Sequence, residues 1–364
     1  WMFLSSFEAM REKLLGQRTL SNMVHMGNGV MGIAFGTAAT VFWCKHVDGY
    51  EGSFSYCEND DVTEDGIPKE FPVKNERLKT AKPDDFKKIP GRPIAYWITE
   101  KVLSLFNNAP CSSKIPSYQG MATTDNAKFM RAWHEVDVLN IGFGLERKQA
   151  FLSKKKWFPY NKGGSLRRWY GNHEFVVNWR NEGEEIIESA KSKYPYLKGN
   201  VSYVVKENNP YFEECVSWTD ITSKGLSARA YPKGFLFDVS GHSAFPSESD
   251  FPTIICYLNS KIGDHLAKIL NSSFHFQVGD FRNLPYPSGV SSADMNSISK
   301  KAIEISKRDW DEYETSWNFN APYFVQRTNF DTISLAWSTW SRSKQDDISE
   351  LKNLEEKNNA YFNL

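Results

Sequence analysis

Residues 19–44, TLSNMVHMGNGVMGIAFGTAATVFWC, decide the fold of the N-terminal part of the chain. The first segment, Thr19–Met26, alternates between polar and apolar residues as a half-buried strand does. Residues 34–44 are rich in β-branched and aromatic side chains, which favour a second strand. Because a short glycine-containing loop separates the two segments, the sequence predicts a β-hairpin.

The loop of this hairpin, GNGVMG at residues 27–32, also matches the G-x-G-x-x-G pattern of dinucleotide-binding proteins. In those proteins a helix follows the loop, and its N-terminal amides bind the pyrophosphate. Here a predicted strand follows, and no well-placed acidic residue ends a second strand. The sequence therefore favours a hairpin loop, and no cofactor-binding residue is predicted.

Outward from the hairpin, the patterns predict an α+β chain with short, scattered strands. A helix is predicted at residues 7–17, and the polar residues 48–93 are predicted to be a connector with a short helix at 73–81. Apolar spacing predicts further helices at residues 94–106, 124–134, 253–270, 293–315 and 345–358. Residues 216–220, 226–230 and 234–239 are predicted to be strands of one meander.

The composition is that of an ordinary globular protein without net charge. The 364 residues include 44 Lys or Arg, 44 Asp or Glu and 40% apolar residues, and this length allows two or three domains. The aromatic share of 15% is high, but aromatic rings fill cores, line interfaces or stack on bases, so composition assigns them no single role. Because the first residue is Trp1, we expect a fragment of a longer protein.

Cysteine usage and hydropathy favour a cytoplasmic protein. The five cysteines are widely spaced and form no C-x-x-C pair, so neither a zinc site nor a disulfide framework is predicted. The longest apolar stretch, residues 33–44, is too short to span a bilayer, and the N-terminus lacks the basic region of a signal peptide. We therefore expect a cytoplasmic location and no membrane partner.

Residues 147–180, here called the basic window, contain nine Lys or Arg and one acidic residue, Glu174, a local charge of +8. Their cations are interleaved with Trp157, Trp169 and Tyr170 around the glycine loop 161–165. Phosphate oxygens are bound by several Lys or Arg on one face, and a glycine loop lets backbone amides approach closely. A solvated charged face beside core aromatics explains the same pattern, so the window alone leaves both interpretations open.

No pattern indicates an active site that is complete within the chain. His134 and Glu135 begin an H-E-x-x-H zinc motif, but residue 138 is Val. The G-x-S-x-G nucleophile motif and the P-loop motif are also absent from the sequence. No catalytic or metal-ligating residue is therefore predicted.

Several segments carry a family resemblance and occur in the family's order: residues 1–15 (WMFLSSFEAMREKLL), 119–131 (QGMATTDNAKFMR), 133–135 (WHE), 156–179 (KWFPYNKGGSLRRWYGNHEFVVNW), 217–220 (SWTD), 227–238 (SARAYPKGFLFD), 258–261 (LNSK) and 271–285 (NSSFHFQVGDFRNLP). Together they resemble the PglX-like adenine-specific DNA methyltransferases of BREX phage-defence systems. More loosely, they resemble type II restriction-modification enzymes that fuse a methyltransferase with a specificity domain.

The resemblance implies four parts. Residues 1–47 would be the end of a class I methyltransferase fold, with the hairpin as the last one of its sheet, and residues 48–107 a connector or helical insertion. Residues 108–290 would be a mixed α/β target-recognition domain closed by the LPYP turn at 284–287, and residues 291–364 a C-terminal helical element. Residues 27–36 are shorter and richer in glycine than the family pattern, so this corner departs from it.

The resemblance also implies different roles for this chain and for the rest of the intact enzyme. The family's Asn-Pro-Pro-Tyr loop and S-adenosylmethionine loop would lie upstream of Trp1, so the chain alone is expected to be inactive and to need no cofactor. The intact enzyme would transfer a methyl group from S-adenosylmethionine to the N6 atom of a flipped-out adenine, while this chain binds double-stranded DNA. The predicted phosphate contacts are Lys154, Lys155, Lys156, Lys162, Arg167 and Arg168. The predicted base or stacking contacts are Gln119, Asn126, Arg131, Trp169, Tyr170 and Arg229, while Asn126 also fits a residue that starts a helix and Trp169 also fits a core residue.

Two other interpretations stay open. In the first, the chain is a non-catalytic remnant or standalone module that binds DNA or a partner without modifying it. In the second, it is an interaction module whose basic face binds an acidic protein. Such a partner is another phage-defence subunit or a phage protein that mimics DNA. In both cases the basic window carries the interaction.

Overall fold

The computed structural model describes residues 1–70, 76–222, 224–271, 273–326 and 330–362. Its helices are α1 (Glu8–Gln17), α2 (Glu100–Leu105), α3 (Asn126–Phe129), α4 (Arg147–Ser153), α5 (Glu184–Lys193), α6 (Ser202–Val205), α7 (Phe251–Leu258), α8 (Lys261–Leu270), α9 (Val278–Asn283), α10 (Ser292–Asp311), α11 (Tyr323–Gln326) and α12 (Ile333–Tyr361). Its strands are β1 (Thr19–Met26), β2 (Thr37–Trp43), β3 (Gly52–Cys57), β4 (Lys79–Ala81), β5 (Ser117–Tyr118), β6 (Met130–Ala132), β7 (Trp157–Asn161), β8 (Phe175–Asn178), β9 (Cys215–Thr219), β10 (Ala228–Tyr231), β11 (Leu236–Phe237) and β12 (Gly241–Ala244). Within these ranges, no helix combines the length and apolarity needed to cross a membrane.

The predicted hairpin is confirmed as the start of the first sheet, whose order is β2-β1-β3-β4. Strands β1 and β2 are antiparallel, with Met23 opposite Thr40. The loop turns through Gly29 and Gly32, whose φ angles of 85° and 70° lie in the left-handed region that favours glycine. The loop therefore connects two strands, and β2 follows it where a dinucleotide-binding protein would have an α-helix.

Residues 48–93, predicted to be a connector, add two strands to the first sheet. Strand β3 runs parallel to β1, and β4 lies antiparallel to β3. The short helix predicted over residues 73–81 was wrong at residues 79–81, which form β4, and residues 73–75 of that prediction lie outside the described ranges. Fully buried Phe54 in β3 stacks on Tyr96 at a centroid distance of 5.0 Å, so core packing outweighs the polar composition of the segment.

Helix α1 is tied to this sheet by a buried arginine. Arg11 is 1% exposed, and its guanidinium donates hydrogen bonds to the carbonyl oxygens of Trp1, Leu4 and Gly91. Three carbonyl acceptors satisfy a cation that would otherwise be costly to bury. The N-terminal residues and the loop after β4 are thereby held to one helix.

Two further sheets of the described residues, with orders β10-β9-β12-β5 and β11-β7-β8-β6, form the central part of the chain. The prediction of one meander was wrong, since β9 and β10 pair with each other but β11 pairs with β7 in the other sheet. Asn161 at the end of β7 joins the two sheets by donating from its side-chain amide to Ser217 Oγ at 2.6 Å. Its carbonyl oxygen accepts the amide of Asp238 at 2.9 Å.

Two predicted helices are shorter than expected. Within residues 124–134 only α3 is α-helical, and the chain then enters β6, which pairs with β8. Within residues 94–106 only α2 is helical, capped by Thr99, because Ile94 and Tyr96 are buried in the core of the first sheet. In both cases tertiary burial overrides the local helical pattern.

The predicted helix at 253–270 is divided into α7 and α8. The Asn259 side chain leaves the helix to form two hydrogen bonds with the backbone of Ala228 in β10, at 2.9 and 3.0 Å. Ser260 then caps α8 by accepting the amide of Gly263. The Asn259 side chain thus satisfies the backbone of Ala228 in β10, and Ser260 caps a new helix. The break between α7 and α8 therefore attaches these two helices to the sheet.

The C-terminal helices cover α7. Helix α10 buries Met295, Ile298 and Ala302 in the main core, as the predicted helix at 293–315 suggested. Helix α12 begins at Ile333, twelve residues before the predicted start at 345, and its Asn358 donates to the Cys256 carbonyl at 2.8 Å. The C-terminal helices are therefore packed against the central part.

Candidate nucleic-acid interface

Two arginines of the basic window, Arg167 and Arg168, are engaged with the C-terminal helices. Arg167 forms an ion pair with Asp309 of α10 and lies 5.1 Å from the centroid of the Trp310 ring. Arg168 lies 3.2 Å from a carboxylate oxygen of Glu355 in α12. These ion pairs join the loop between β7 and β8 to the helices, so much of its charge is neutralised inside the fold.

Lys162 is likewise paired with an internal acid. Its ammonium lies 2.7 Å from Asp238, whose side chain is 1% exposed. The hydroxyl of Tyr160 donates to the same carboxylate at 2.6 Å. Burial and the charge of Asp238 raise the pKa of Tyr160 well above its ordinary value, so this phenol stays a donor. Lys162 is therefore the counterion of a buried carboxylate.

The three consecutive lysines are placed at the surface where α4 meets β7. Lys154 ends α4 with a left-handed φ of 53°, and it forms no ion pair with any residue that the structure describes. The Lys155 ammonium donates to the Ile141 carbonyl at 2.7 Å, and that of Lys156 lies 3.9 Å from Glu185. Of the six predicted phosphate contacts, these three are less closely paired with acidic side chains than Lys162, Arg167 and Arg168 are.

Three of the predicted base or stacking residues lie in the core. Trp169 is 0% exposed, and its indole N–H donates to Glu355 at 3.0 Å. Arg229 is also 0% exposed and donates to the Arg167 carbonyl and the Thr219 hydroxyl. Tyr170 is 6% exposed and packs on His173. None of the three presents its side chain to solvent in this conformation.

The other three lie on a surface that we call the recognition shelf, formed by residues 119–131. Gln119 and Asn126 are exposed and Arg131 is half-buried. The Thr123 hydroxyl donates to the Asn126 side chain at 2.6 Å, and the Arg131 guanidinium donates to the carbonyl oxygens of Ala127 and Met130. Since Met121 and Phe129 are fully buried beneath it, the shelf holds polar side chains on a packed base.

A second segment, residues 189–206, lies against the recognition shelf and is missed by the sequence analysis. The Lys193 ammonium donates to the Thr124 carbonyl at 2.6 Å, and the Lys206 ammonium donates to Gln119 Oε1 at 2.6 Å. The amide of Ala122 donates to the Val204 carbonyl at 2.9 Å. The sequence signal was its four lysines without an acidic residue, but it lies beyond the basic window and sixty positions from the shelf.

One group in the described part of the chain has side chains arranged as metal ligands: His46, Asp48 and Asp84. The ammonium of Lys87 already lies 2.6 Å from Asp84, and the amide of Gly49 donates to the same carboxylate. The Lys87 cation already forms an ion pair with the carboxylate that a metal ion would need as a ligand. We therefore interpret the group as a surface ion-pair cluster.

A cleft of about 1130 Å³ separates the first sheet from α8 and the loop that follows it. Aromatic side chains line the first-sheet side, among them Phe3, Tyr96 and Trp97. Phe274 and His275 line the opposite side. The cleft is thus bounded by the N-terminal sheet and by the central part of the chain.

No family model matches the chain. The chain is 33% identical over 381 residues to the adenine-specific methyltransferase PglX of Lacticaseibacillus casei (strain Zhang), covering 100% of this chain and 31% of that protein. It is 32% identical over 366 residues to the adenine-specific methyltransferase BrxX of Escherichia coli O9:H4 (strain HS), covering 98% of this chain and 28% of that protein. The predicted resemblance to PglX-like adenine-specific methyltransferases is confirmed, for a chain that spans less than a third of the length of these relatives.

A solved structure shares the fold. The type IIL restriction-modification enzyme MmeI, determined in complex with DNA, superposes with a TM-score of 0.52 over 98% of this chain and 45% of that chain, at 11% identity. The mixed α/β fold predicted from the sequence is therefore confirmed.

Proposed function

We propose that this chain is the DNA-recognition portion of an adenine-N6 DNA methyltransferase of the BREX phage-defence type. The observation that carries the proposal is the recognition shelf, on which Gln119, Asn126 and Arg131 are held at the surface by a buried base. The similarity of this chain to less than a third of PglX and of BrxX supplies the chemical context, methylation of adenine. The catalytic and S-adenosylmethionine loops belong, in this proposal, to the rest of the enzyme.

The side chains of the shelf suit sequence recognition. Amide side chains donate to and accept from adenine, and guanidinium groups donate to guanine. Gln119 Oε1 accepts from Lys206, so its amide hydrogens remain for an acceptor on a base edge. We therefore retain Gln119, Asn126 and Arg131 as base contacts, and we assign Trp169, Tyr170 and Arg229 to the buried interior.

Phosphate contacts are assigned to Lys154, Lys155 and Lys156, which lie where α4 meets β7. Lys162, Arg167 and Arg168 are assigned instead to holding the central part together, because their charges are paired with Asp238, Asp309 and Glu355 of the same chain. Phosphate contacts position a protein on a duplex and base contacts give it specificity. The two groups of residues thus have separable roles.

The first sheet is proposed to continue into the catalytic domain through β2. Among the described strands, β2 is paired on one side only, with β1, and its outer residues Val41 and Trp43 are 58% and 52% exposed. An open, apolar strand edge is a template for a further strand. In the intact enzyme this edge would receive the methyltransferase sheet, which would bring S-adenosylmethionine to the duplex bound by the shelf.

The test is the affinity of this chain for a mixed-sequence duplex across a salt series, measured by fluorescence anisotropy. We expect the K154A/K155A/K156A variant to weaken binding and to make the slope of log affinity against log salt shallower by about 2 to 3. The matched control is K300A/K352A/K357A, which removes three exposed lysines of α10 and α12. Absence of binding by the wild-type chain at low salt, or equal slopes for both variants, contradicts the proposal.

A further inference from the structure

Residues 189–206, SAKSKYPYLKGNVSYVVK, contain several lysines and tyrosines and lie outside the basic window. The segment contains Lys191, Lys193, Lys198 and Lys206 and no acidic residue. Three tyrosines, Tyr194, Tyr196 and Tyr203, lie between the first and the last of these lysines. We call this segment the lysine–tyrosine lobe, and it consists of the end of α5, the following turn and α6.

The tyrosine rings of the lobe are unusually exposed. Tyr203 is 83% exposed and Tyr196 is 74% exposed, whereas Tyr160 and Tyr211 in the adjoining core are at most 1% exposed. An exposed ring gains little from folding, and tyrosine at a protein surface offers a large rigid ring together with a hydroxyl donor. These two rings therefore gain burial only by contact with a partner.

The lobe is a fixed part of the fold. Val201 and Val205 are buried against the same core as Ile186 and Ala190 of α5. The hydroxyl of Tyr211 donates to the Val205 carbonyl at 3.0 Å. The lobe therefore presents its lysines and tyrosines from a rigid frame, which reduces the entropy lost when a partner binds.

The lobe and the recognition shelf form one continuous surface. Lys193 and Lys206 reach across to the Thr124 carbonyl and the Gln119 side chain, both at 2.6 Å. Lys191 and Lys198 are exposed and have no side-chain partner among the residues described. Lys191 and Lys198 thus provide two exposed positive charges in the segment that is hydrogen-bonded to the shelf.

We propose that the lysine–tyrosine lobe binds the sugar–phosphate backbone of duplex DNA beside the bases that the shelf contacts, and this inference rests on the proposed function. Lys191 and Lys198 bind phosphates, and the hydroxyl groups of Tyr196 and Tyr203 donate to phosphate or sugar oxygens. Lysine and tyrosine are both common phosphate contacts, and such contacts are independent of sequence. The lobe sets the register of the duplex on the shelf.

The experiment compares K191A/K198A and Y196F/Y203F with the wild-type chain and with K352A/K357A, which removes two exposed lysines of α12. Affinity is measured across a salt series for several unrelated duplexes. We expect K191A/K198A to lower affinity about tenfold to fiftyfold near 0.1 M salt and to make the salt slope shallower by about 2, equally for all sequences. Y196F/Y203F should lower affinity about threefold to tenfold, because it removes two hydrogen-bond donors.

The outcomes separate the two proposals. If the wild-type chain binds DNA and K191A/K198A behaves as K352A/K357A does, the lobe proposal fails while the proposed function stands. If the wild-type chain binds no duplex at low salt, the proposed function fails. Binding of polyglutamate that exceeds duplex binding and depends on Lys191 and Lys198 would assign the lobe to an acidic protein instead. Circular dichroism checks that each variant remains folded.

Discussion

The stability of the folded chain at low pH depends on the burial of His173. The ring of His173 is 2% exposed and lies among aromatic side chains. Its centroid is 4.5 Å from that of Tyr170 and 4.8 Å from those of Tyr231 and Phe235. Burial, together with the charges of Arg229 and Lys307, lowers the pKa of His173 from its ordinary 6.5 to about 3. The folded protein therefore keeps this imidazole neutral at pH values where the unfolded chain protonates it.

The sign and size of the effect follow from this difference in pKa. Between about pH 3 and 6.5 the unfolded state binds one more proton at this position, so stability falls as the pH is lowered through that range. At about pH 5 the loss amounts to roughly 2 kcal/mol relative to pH 8. For a domain of 150 to 250 residues this corresponds to a decrease of about 4–8 °C in Tm.

The H173F variant isolates this contribution. Phenylalanine keeps an aromatic ring in the cage and cannot be protonated, and the Nε2 atom that it removes is buried without a hydrogen-bond partner in the wild type. We therefore expect equal or higher stability at pH 8 and a decrease in Tm on acidification that is about 4–8 °C smaller than in the wild type.

His25 provides the internal control for this measurement. Burial lowers the pKa of His25 to about 4, so it also destabilises the folded chain in acid, but it is present in both proteins. The difference between wild type and H173F removes its contribution. Equal decreases in Tm for the two proteins, measured by differential scanning calorimetry at pH 8 and 5, would refute the burial argument.

Two further predictions concern the support of the candidate interface. Glu355→Ala removes the acceptor of the buried Trp169 indole N–H and the partner of Arg168. We therefore expect the free energy of unfolding, measured by urea titration, to fall by about 1–3 kcal/mol, and we expect Glu355→Gln to keep part of that stability. An unchanged urea midpoint for Glu355→Ala would contradict this role. Gly120→Ala places a Cβ 2.0 Å from the Phe237 carbonyl oxygen beneath the recognition shelf, so we expect a lower Tm and weaker DNA binding. The control is Gly279→Ala, because the space around its Cβ is open. Equal Tm values for the two variants would show that the backbone near Phe237 moves freely.

The sequence by itself determined the features that depend on neighbouring residues. The hairpin over residues 19–44 was predictable because alternation and the turn glycines are local signals, and its strands pair as expected. The order of helices at the C-terminus followed from apolar spacing, although the start of α12 did not. The family resemblance was also carried by the sequence alone, through segments distributed along the chain.

The tertiary structure decided how the charges are used. The basic window has a charge of +8 when counted along the sequence, but Arg167 and Arg168 find their acidic partners 142 and 187 positions away. The helix predicted over 124–134 became the shelf because β6 pairs with β8 and Phe129 is buried. The lysine–tyrosine lobe joins that shelf only through long-range hydrogen bonds. A count of charges in a sequence window includes only neighbours along the chain, whereas Coulomb interactions and burial act between groups that folding brings within a few ångströms.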